Sequence, residues 1–317
     1  MTGPEGKQSK RIDWHGMRTW AYAVLFCCAL LCSGCAPVRP ALPTPTAAAE
    51  ATALPSPSPA STATPAPSPY SVIDSEGDTI QTRFRPPQGY ARKVADGYGE
   101  FLRNQKLLPD GSPILLYNGE EAAMQGWHAA VLSLSVGDRD LQQCADAALR
   151  LRCEYLYSIG EYDKINYHLT NGDEFPYSKW REGYRLEVEG NTTRMVKAAE
   201  PDGSYEVFYD YMQMLFNYAS TRSLYPESAP VPREEIQPGD ILIFSGSPGH
   251  CIIIMDVCEN ELGEKAILLG QSNMPAQQVH IICPPYTKQP WLFLNELWGR
   301  IQIMSWGFTD DNIRRMP

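Results

Sequence analysis

The stretch Gly249-His-Cys-Ile-Ile-Ile-Met-Asp-Val257 decides the fold of this chain, together with the two segments that flank it. Apart from His250 and Asp256 it is an unbroken apolar run, which is typical of a strand buried on both faces. Ile241-Leu-Ile-Phe244 precedes it and Ala266-Ile-Leu-Leu269 follows it, each a short apolar run bounded by turn residues. We therefore predict a central antiparallel sheet.

The hairpin between the second and third of these strands is short enough to predict which residues face each other. In an antiparallel hairpin, the residue numbers of any two residues that face each other add up to the same value. A turn centred on Glu261-Leu262 makes that value about 523. His250 then faces residue 273 to within about two places, so Gln271-Ser-Asn273 lies beside the imidazole. Asp256 is about 20 Å away at ~3.3 Å per residue, which excludes a pair with His250.

Cys144 is the cysteine best placed to work with that histidine. It lies in the first turn of a helix predicted over 140–159 by apolar residues at helical spacing, with Asp138 and Asp140 as candidate caps. The N-terminus of a helix and a nearby positively charged imidazolium both stabilise a thiolate. An imidazole whose N–H is held by an amide oxygen leaves its other nitrogen free to accept the thiol proton.

The other cysteines beyond the amino-terminal segment are poorer candidates. Cys153 lies mid-helix, Cys251 points to the opposite sheet face from His250, and Cys258 lies near the far end of the hairpin. Cys283 follows a short apolar run and is interpreted as packing or as half of a disulfide. None of these cysteines forms a Cys-x-x-Cys pair, so a structural zinc site has little support and no cofactor is predicted.

Two interpretations of this constellation stay open. In the first, Cys144 attacks an amide carbonyl, His250 acts as base and then acid, and Gln271 orients the ring. Gln143 or the helix-start amides then stabilise the oxyanion, with Asn273 as a second polar group near the ring. In the second, the hairpin is structural and the protein binds or scaffolds, because strand-start histidines and helix cysteines are more often inert.

A polar aromatic loop supplies candidate cleft residues. Trp180, Arg181 and Tyr184 are predicted either to line a substrate cleft or to form an ordinary solvent-facing loop.

The rest of the domain alternates between helical and strand patterns. Helices are predicted over 94–104 and 205–220, and strands over 114–117 and 129–136. Because helices dominate the first half and strands the second, we predict an α+β fold.

The amino terminus predicts an exported protein. Four basic residues precede an apolar run, Trp20–Leu31, that is too short to cross ~30 Å of hydrocarbon. Residues 1–34 are therefore predicted to be a signal peptide. The small residues Ser33 and Gly34 before Cys35 predict cleavage at Cys35, with either lipidation of its thiol or ordinary processing that leaves it free.

Residues 35–75 are predicted to be the lipidated Cys35 followed by a disordered tether, whose Pro-, Ala-, Thr- and Ser-rich part, residues 36–69, has a reach of about 100 Å. Residues 76–317 are predicted to form one globular domain. The chain has a net charge of −10, which argues against a general affinity for nucleic acid.

Pro238-Gly-Asp240, Gly249-His250 and Gln271-Ser-Asn273 resemble the NlpC-type peptidases and the cysteine, histidine-dependent amidohydrolases that act on cell walls. The resemblance implies a papain-like core, with a cysteine at a helix start, a histidine at a strand start and a polar residue on the next strand. It also implies a cell-wall peptide or amide as partner, reached from the bacterial membrane through the lipid. The long stretch from Cys144 to His250 implies an insertion.

Residues 79–306 resemble more closely an uncharacterised bacterial lipoprotein family, catalogued as a domain of unknown function. That family usually has Tyr at the position of Asn273, which favours Gln271 as the orienting residue. The matching blocks are Asp140-Leu-Gln-Gln-Cys-Ala-Asp-Ala147, Tyr177-Ser-Lys-Trp-Arg-Glu-Gly183, Gly246-Ser-Pro-Gly-His250 and Gln271-Ser-Asn-Met-Pro-Ala-Gln277.

Overall fold

The computed structural model describes residues 70–95, 97–296 and 299–317. The predicted signal peptide, the lipidation at Cys35 and the tether up to residue 69 lie outside these residues. Residues Ala66–Pro317 form one compact unit.

The end of the predicted tether is part of the domain. Tyr70 Oη donates a hydrogen bond to the carbonyl oxygen of Pro86, and Ile73 pairs with Phe84. The contacts of the domain therefore extend to Tyr70, ahead of the predicted boundary at residue 76.

Two of the helices of the described residues, α3 and α5, are long, and the others are short. No helix among the described residues is long and apolar enough to cross a membrane. The α-helices are α1 (Ile80–Arg83), α2 (Gly97–Arg103), α3 (Cys144–Ser158), α4 (Tyr177–Arg181), α5 (Tyr205–Tyr218) and α6 (Thr221–Glu227).

The strands are β1 (Tyr90–Arg92), β2 (His128–Val131), β3 (Asn166–His168), β4 (Glu174–Pro176), β5 (Tyr184–Glu189), β6 (Thr192–Lys197), β7 (Ala229–Pro230), β8 (Asp240–Phe244), β9 (His250–Asn260), β10 (Lys265–Gln271), β11 (His280–Ile282), β12 (Trp291–Phe293), β13 (Ile301–Ile303), β14 (Trp306–Phe308) and β15 (Ile313–Arg315).

One large antiparallel sheet organises the domain, so the prediction of a mixed helix and strand fold on an antiparallel sheet is confirmed. Its main order is β2-β11-β10-β9-β8-β15-β7, with β1 added beside β9 and β12 beside β10. Three separate hairpins pair β3 with β4, β5 with β6, and β13 with β14. The stretch 114–117, predicted as a strand, forms only isolated bridges, because Leu115 and Leu116 pair with single residues.

The sheet is buried on both faces, as the apolar run of β9 predicts. On one face, Cys251 and Ile253 pack with helix residues such as Ala148 in the larger core cluster. On the other face, Ile252 and Ile254 pack in a second cluster beneath the β13–β14 hairpin. Because side chains alternate along a strand, His250 lies on the second face.

Asp256 interrupts the apolar run of β9 for a structural reason. Its carboxylate accepts hydrogen bonds from Arg92 Nε at 2.5 Å and from Arg103 Nε at 2.7 Å, and the side chain is fully buried. A buried charge is tolerated when it is paired and hydrogen-bonded in this way. Asp256 therefore links β1 and α2 to the sheet and takes no part in the histidine site.

Helix α3 begins at Cys144, four residues after the predicted start at Asp140. Its amino terminus is capped from inside the helix, because Asp146 Oδ2 accepts a hydrogen bond from the Gln143 amide at 3.0 Å. Asp140 instead accepts from the Ala276 amide. The predicted stop is correct, since Gly160 has the positive φ of 75° that ends many helices.

Candidate active site

His250 and Gln271 meet on one face of the sheet. His250 is the first residue of β9, Gln271 is the last residue of β10, and His250 Nε2 lies 3.0 Å from Gln271 Oε1. The pairs near them, Leu269–Ile254 and Gly270–Ile253, follow the predicted register. Both side chains are about 2% exposed, so bulk water does not compete for this hydrogen bond.

Trp306 covers the imidazole. Its ring stacks on that of His250, with a centroid separation of 5.0 Å and an interplanar angle of 16°. Trp306 begins β14, which belongs to the separate hairpin over the second core cluster. Local sequence gave no signal for this contact, because the two residues are far apart in the chain and meet only through packing.

Cys144 approaches the same strand from the helix side. It is the first residue of α3, half-buried, and the backbone amide of Cys251 hydrogen-bonds to its sulfur. Cys144 therefore lies against the residue that follows His250. Among the described residues, Cys144 and His250 share no hydrogen bond; the contact of Cys144 is with the backbone of Cys251.

The Cys144 thiol and the His250 imidazole are both held in their neutral forms. Burial raises the pKa of the Cys144 thiol, an effect that the amides of Cys251 and Ala145 oppose and that the nearby Asp146 carboxylate reinforces. Burial also lowers the pKa of His250, while its hydrogen bond to Gln271 acts in the opposite direction. The resting site is thus a thiol and an imidazole, and no preformed ion pair is favoured.

A cleft of about 500 Å³ opens beside Cys144. Its walls come from the start of α3, the end of α5, the loop before β9 and the C-terminal hairpin. Its lining includes Cys144, Gln143, Asp146, Asn217, Thr221, Gly249, Asn273 and Trp306.

Two predicted secondary residues line this cleft. Gln143 directs one hydrogen of its side-chain amide to Asp140 Oδ1 at 3.2 Å and keeps the other available. Asn273 Oδ1 accepts a hydrogen bond from the Met274 amide, so this side chain caps its own loop instead of orienting His250. Of the two candidates beside the ring, Gln271 makes the contact.

Trp180, Arg181 and Tyr184 do not line the Cys144 cleft. Trp180 is about 3% exposed and donates its indole N–H to the Val207 carbonyl, which places it in the helical core. Arg181 stacks over Tyr162 at 4.2 Å. These contacts hold Trp180 against α5 and Arg181 over Tyr162, away from the Cys144 cleft.

The cysteines of the described residues, Cys144, Cys153, Cys251, Cys258 and Cys283, are free thiols. No group of three or more His, Cys, Asp or Glu side chains that could hold a metal ion occurs in the part of the chain that the structure describes.

Asp146 is an ionisable residue of the cleft that the sequence reasoning missed. Its Oδ1 is buried without a hydrogen-bond partner, and burial raises the pKa of the carboxyl to about 8. Its position two residues after Cys144, on the first turn of a helix, was the available signal. At neutral pH this carboxyl is mostly protonated, which limits its opposition to a thiolate on Cys144.

Residues 80–315 match the family model described as Domain of unknown function (4846). No curated protein and no solved structure shows significant similarity to the chain.

We expect Asp146→Asn to flatten the pH dependence of stability. The carboxyl ionises near its ordinary pKa of 3.8 in the unfolded chain and only near pH 8 in the folded protein. Between those values the folded state holds one more proton than the unfolded state, so the contribution of Asp146 to the free energy of unfolding falls as pH rises. The free energy of unfolding of the wild type should therefore fall by about 1.4 kcal/mol per pH unit more than that of the variant. Urea titrations at pH 5, 6 and 7 measure this, with Asp140→Asn as control. Equal slopes for wild type and Asp146→Asn would contradict the buried carboxyl.

We expect Cys144 to react with iodoacetamide more slowly than free cysteine at pH 7, because burial keeps it as the thiol. Its rate should rise with a midpoint above that of free cysteine, about 8.5. Peptide mapping after timed labelling identifies the modified residue, and Cys144→Ser provides the blank. Rapid labelling of Cys144 at pH 6 would show a resting thiolate instead.

Proposed function

This chain belongs to the family described as Domain of unknown function (4846), and we propose that it is a lipid-anchored, extracytoplasmic cysteine peptidase or amidase with a papain-like core. The observation that carries the proposal is the buried hydrogen bond between His250 Nε2 and Gln271 Oε1, on a strand whose next residue, Cys251, contacts the helix-start Cys144. This arrangement orients an imidazole and leaves Nδ1 as its base.

Catalysis begins with neutral groups. As the substrate amide enters the cleft, Cys144 Sγ attacks its carbonyl carbon and the thiol proton passes to His250 Nδ1. The carbonyl oxygen becomes an oxyanion, which the free amides at the start of α3 and the Gln143 side chain stabilise. His250 then gives its proton to the leaving amine as the C–N bond breaks.

The second half restores the enzyme. A water molecule attacks the thioester carbon and loses its proton to His250. The second tetrahedral intermediate collapses, the C–S bond breaks, and the sulfur recovers the proton from His250. The products are a carboxylic acid and an amine, and no redox partner or metal is required.

The proposed location sets the substrate class. A lipid on Cys35 would hold the domain at the outer face of the membrane, and the tether of residues 36–69 gives it a reach of about 100 Å. Peptides and amides of the cell wall lie within that distance, which makes them the proposed substrates.

A binding or scaffold lipoprotein is the second candidate function. The raised pKa of Cys144 favours it, because an inert buried cysteine has the same property. The oriented His250–Gln271 pair favours hydrolysis, since its hydrogen bond engages Nε2 and leaves Nδ1 as the acceptor, on the strand whose second residue contacts Cys144.

The full chain should cleave peptides released from purified bacterial cell walls. Cys144→Ala and His250→Ala should each lower the rate by about 10³-fold or more, because nucleophile and base act as one unit. Gln271→Ala should lower kcat by a smaller factor through loss of ring orientation. Mass spectrometry of the products measures each rate.

Cys283→Ala is the matched control, since this thiol lies outside the cleft and should be dispensable for cleavage. Wild-type cleavage by Cys144→Ala would overturn the thiol mechanism. Retention of wall peptides without cleavage by the wild-type chain would favour the scaffold.

The anchor is tested in a bacterial host. The wild-type chain should incorporate an alkyne analogue of palmitate and sediment with membranes, whereas Cys35→Ala should do neither. An unlabelled wild-type chain, or a Cys35→Ala chain still labelled, would contradict lipidation at this residue.

A further inference from the structure

Gln271 alone cannot decide which tautomer His250 adopts. If the Gln271 amide turned by 180°, its NH₂ group would face His250 Nε2, which would then have to accept. The proton of a neutral His250 would move to Nδ1, and the nitrogen proposed as base would be blocked. Some other contact must hold the amide in its present orientation.

His280 makes that contact. It lies opposite Gln271 in the pairing of β10 with β11, so the two side chains share a sheet face. His280 Nε2 lies 3.2 Å from Gln271 Nε2, and Met304 Sδ lies 3.7 Å from the same amide nitrogen. Both amide hydrogens of Gln271 thus have acceptors, and its oxygen is left to face His250.

The tautomer of His280 is itself determined by the backbone. His280 Nδ1 lies 3.0 Å from the carbonyl oxygen of Gln278, which can only accept, so Nδ1 carries the hydrogen. His280 is buried, and burial lowers its pKa to about 4, so the ring is neutral near pH 7. A neutral imidazole has one N–H, which leaves His280 Nε2 as an acceptor.

We propose that His280 is a positioning residue that fixes the tautomer of His250 through Gln271. The chain of bonds runs from His280 Nδ1–H to the Gln278 carbonyl, from Gln271 Nε2–H to His280 Nε2, and from His250 Nε2–H to Gln271 Oε1. Each step permits only one direction of donation. A backbone carbonyl two residues before His280 therefore dictates that His250 Nδ1 is the free base.

The catalytic consequence of this inference rests on the proposed function, but the tautomers belong to the resting protein and need no substrate. Nitrogen-15 labelling of the full chain and long-range proton–nitrogen correlation at pH 7 report which ring nitrogen of each histidine carries hydrogen. The chain has five histidines, which single substitutions assign. We expect His280 with hydrogen on Nδ1, His250 with hydrogen on Nε2, and a nitrogen–nitrogen coupling across the Gln271–His280 hydrogen bond.

Two substitutions of His280 distinguish its role in orienting the Gln271 amide from a role in filling space in the core. His280→Leu removes the acceptor, and the Nδ1–H form of His250 should rise from undetectable to a population comparable with the Nε2–H form. His280→Gln places an amide oxygen near the former Nε2 and should restore the excess of the Nε2–H form. His128→Leu is the control, because it removes a ring 6.2 Å from that of His280 that bonds the Ser112 carbonyl instead.

A folded His280→Leu variant in which His250 keeps only the Nε2–H form would overturn the inference. If that variant does not fold, the wild-type spectrum still decides, because hydrogen on His280 Nε2 or a charged His280 would overturn it equally. Failure of the wild type to cleave wall peptides would overturn the proposed function and leave these tautomers unaffected.

Discussion

The pairing of β9 with β10 is the constraint on which the rest of the structure depends. These strands lie in the middle of a sheet that is covered on both faces, so a slip of one residue would move each apolar side chain to the wrong layer. The same register that buries Ile252 and Ile254 also places His250 beside Gln271. The stability of the core and the geometry of the site therefore have one cause.

The site is assembled from both faces of that sheet. Cys144 lies at the start of α3, on the helix-covered face of the sheet, and contacts the backbone of Cys251. Trp306 lies on the β13–β14 hairpin, on the other face of the sheet, and stacks on the His250 ring. The start of β9 is where these layers meet, and the cleft opens there. Exclusion of water strengthens the hydrogen bond between His250 and Gln271, and burial also keeps the thiol and the imidazole in their neutral forms.

The sequence predicted correctly those features that depend on residues close together in the chain. The hairpin register followed from the turn at 261–262, and Gly160 ended α3 as expected. The start of α3 was misplaced because Asp138 and Asp140 precede it as candidate caps, whereas the carboxylate that caps it, Asp146, lies inside the helix. The surroundings of Trp180 could not be predicted, because a tryptophan that packs on α5 has the same local sequence as one that lines a cleft.

The sequence by itself determined the buried central strands, their antiparallel pairing and the neighbours His250 and Gln271, because these depend on apolar runs and short turns close together in the chain. Only the tertiary structure decided that Trp306 covers the ring, that Asp146 is a buried acid, and that His280 orients Gln271. The Trp306 contact joins segments distant in sequence, and the other two features depend on what the packed core buries around Asp146 and Gln271. Burial and hydrogen-bond direction at such contacts are properties of the packed core, and no local pattern encodes them.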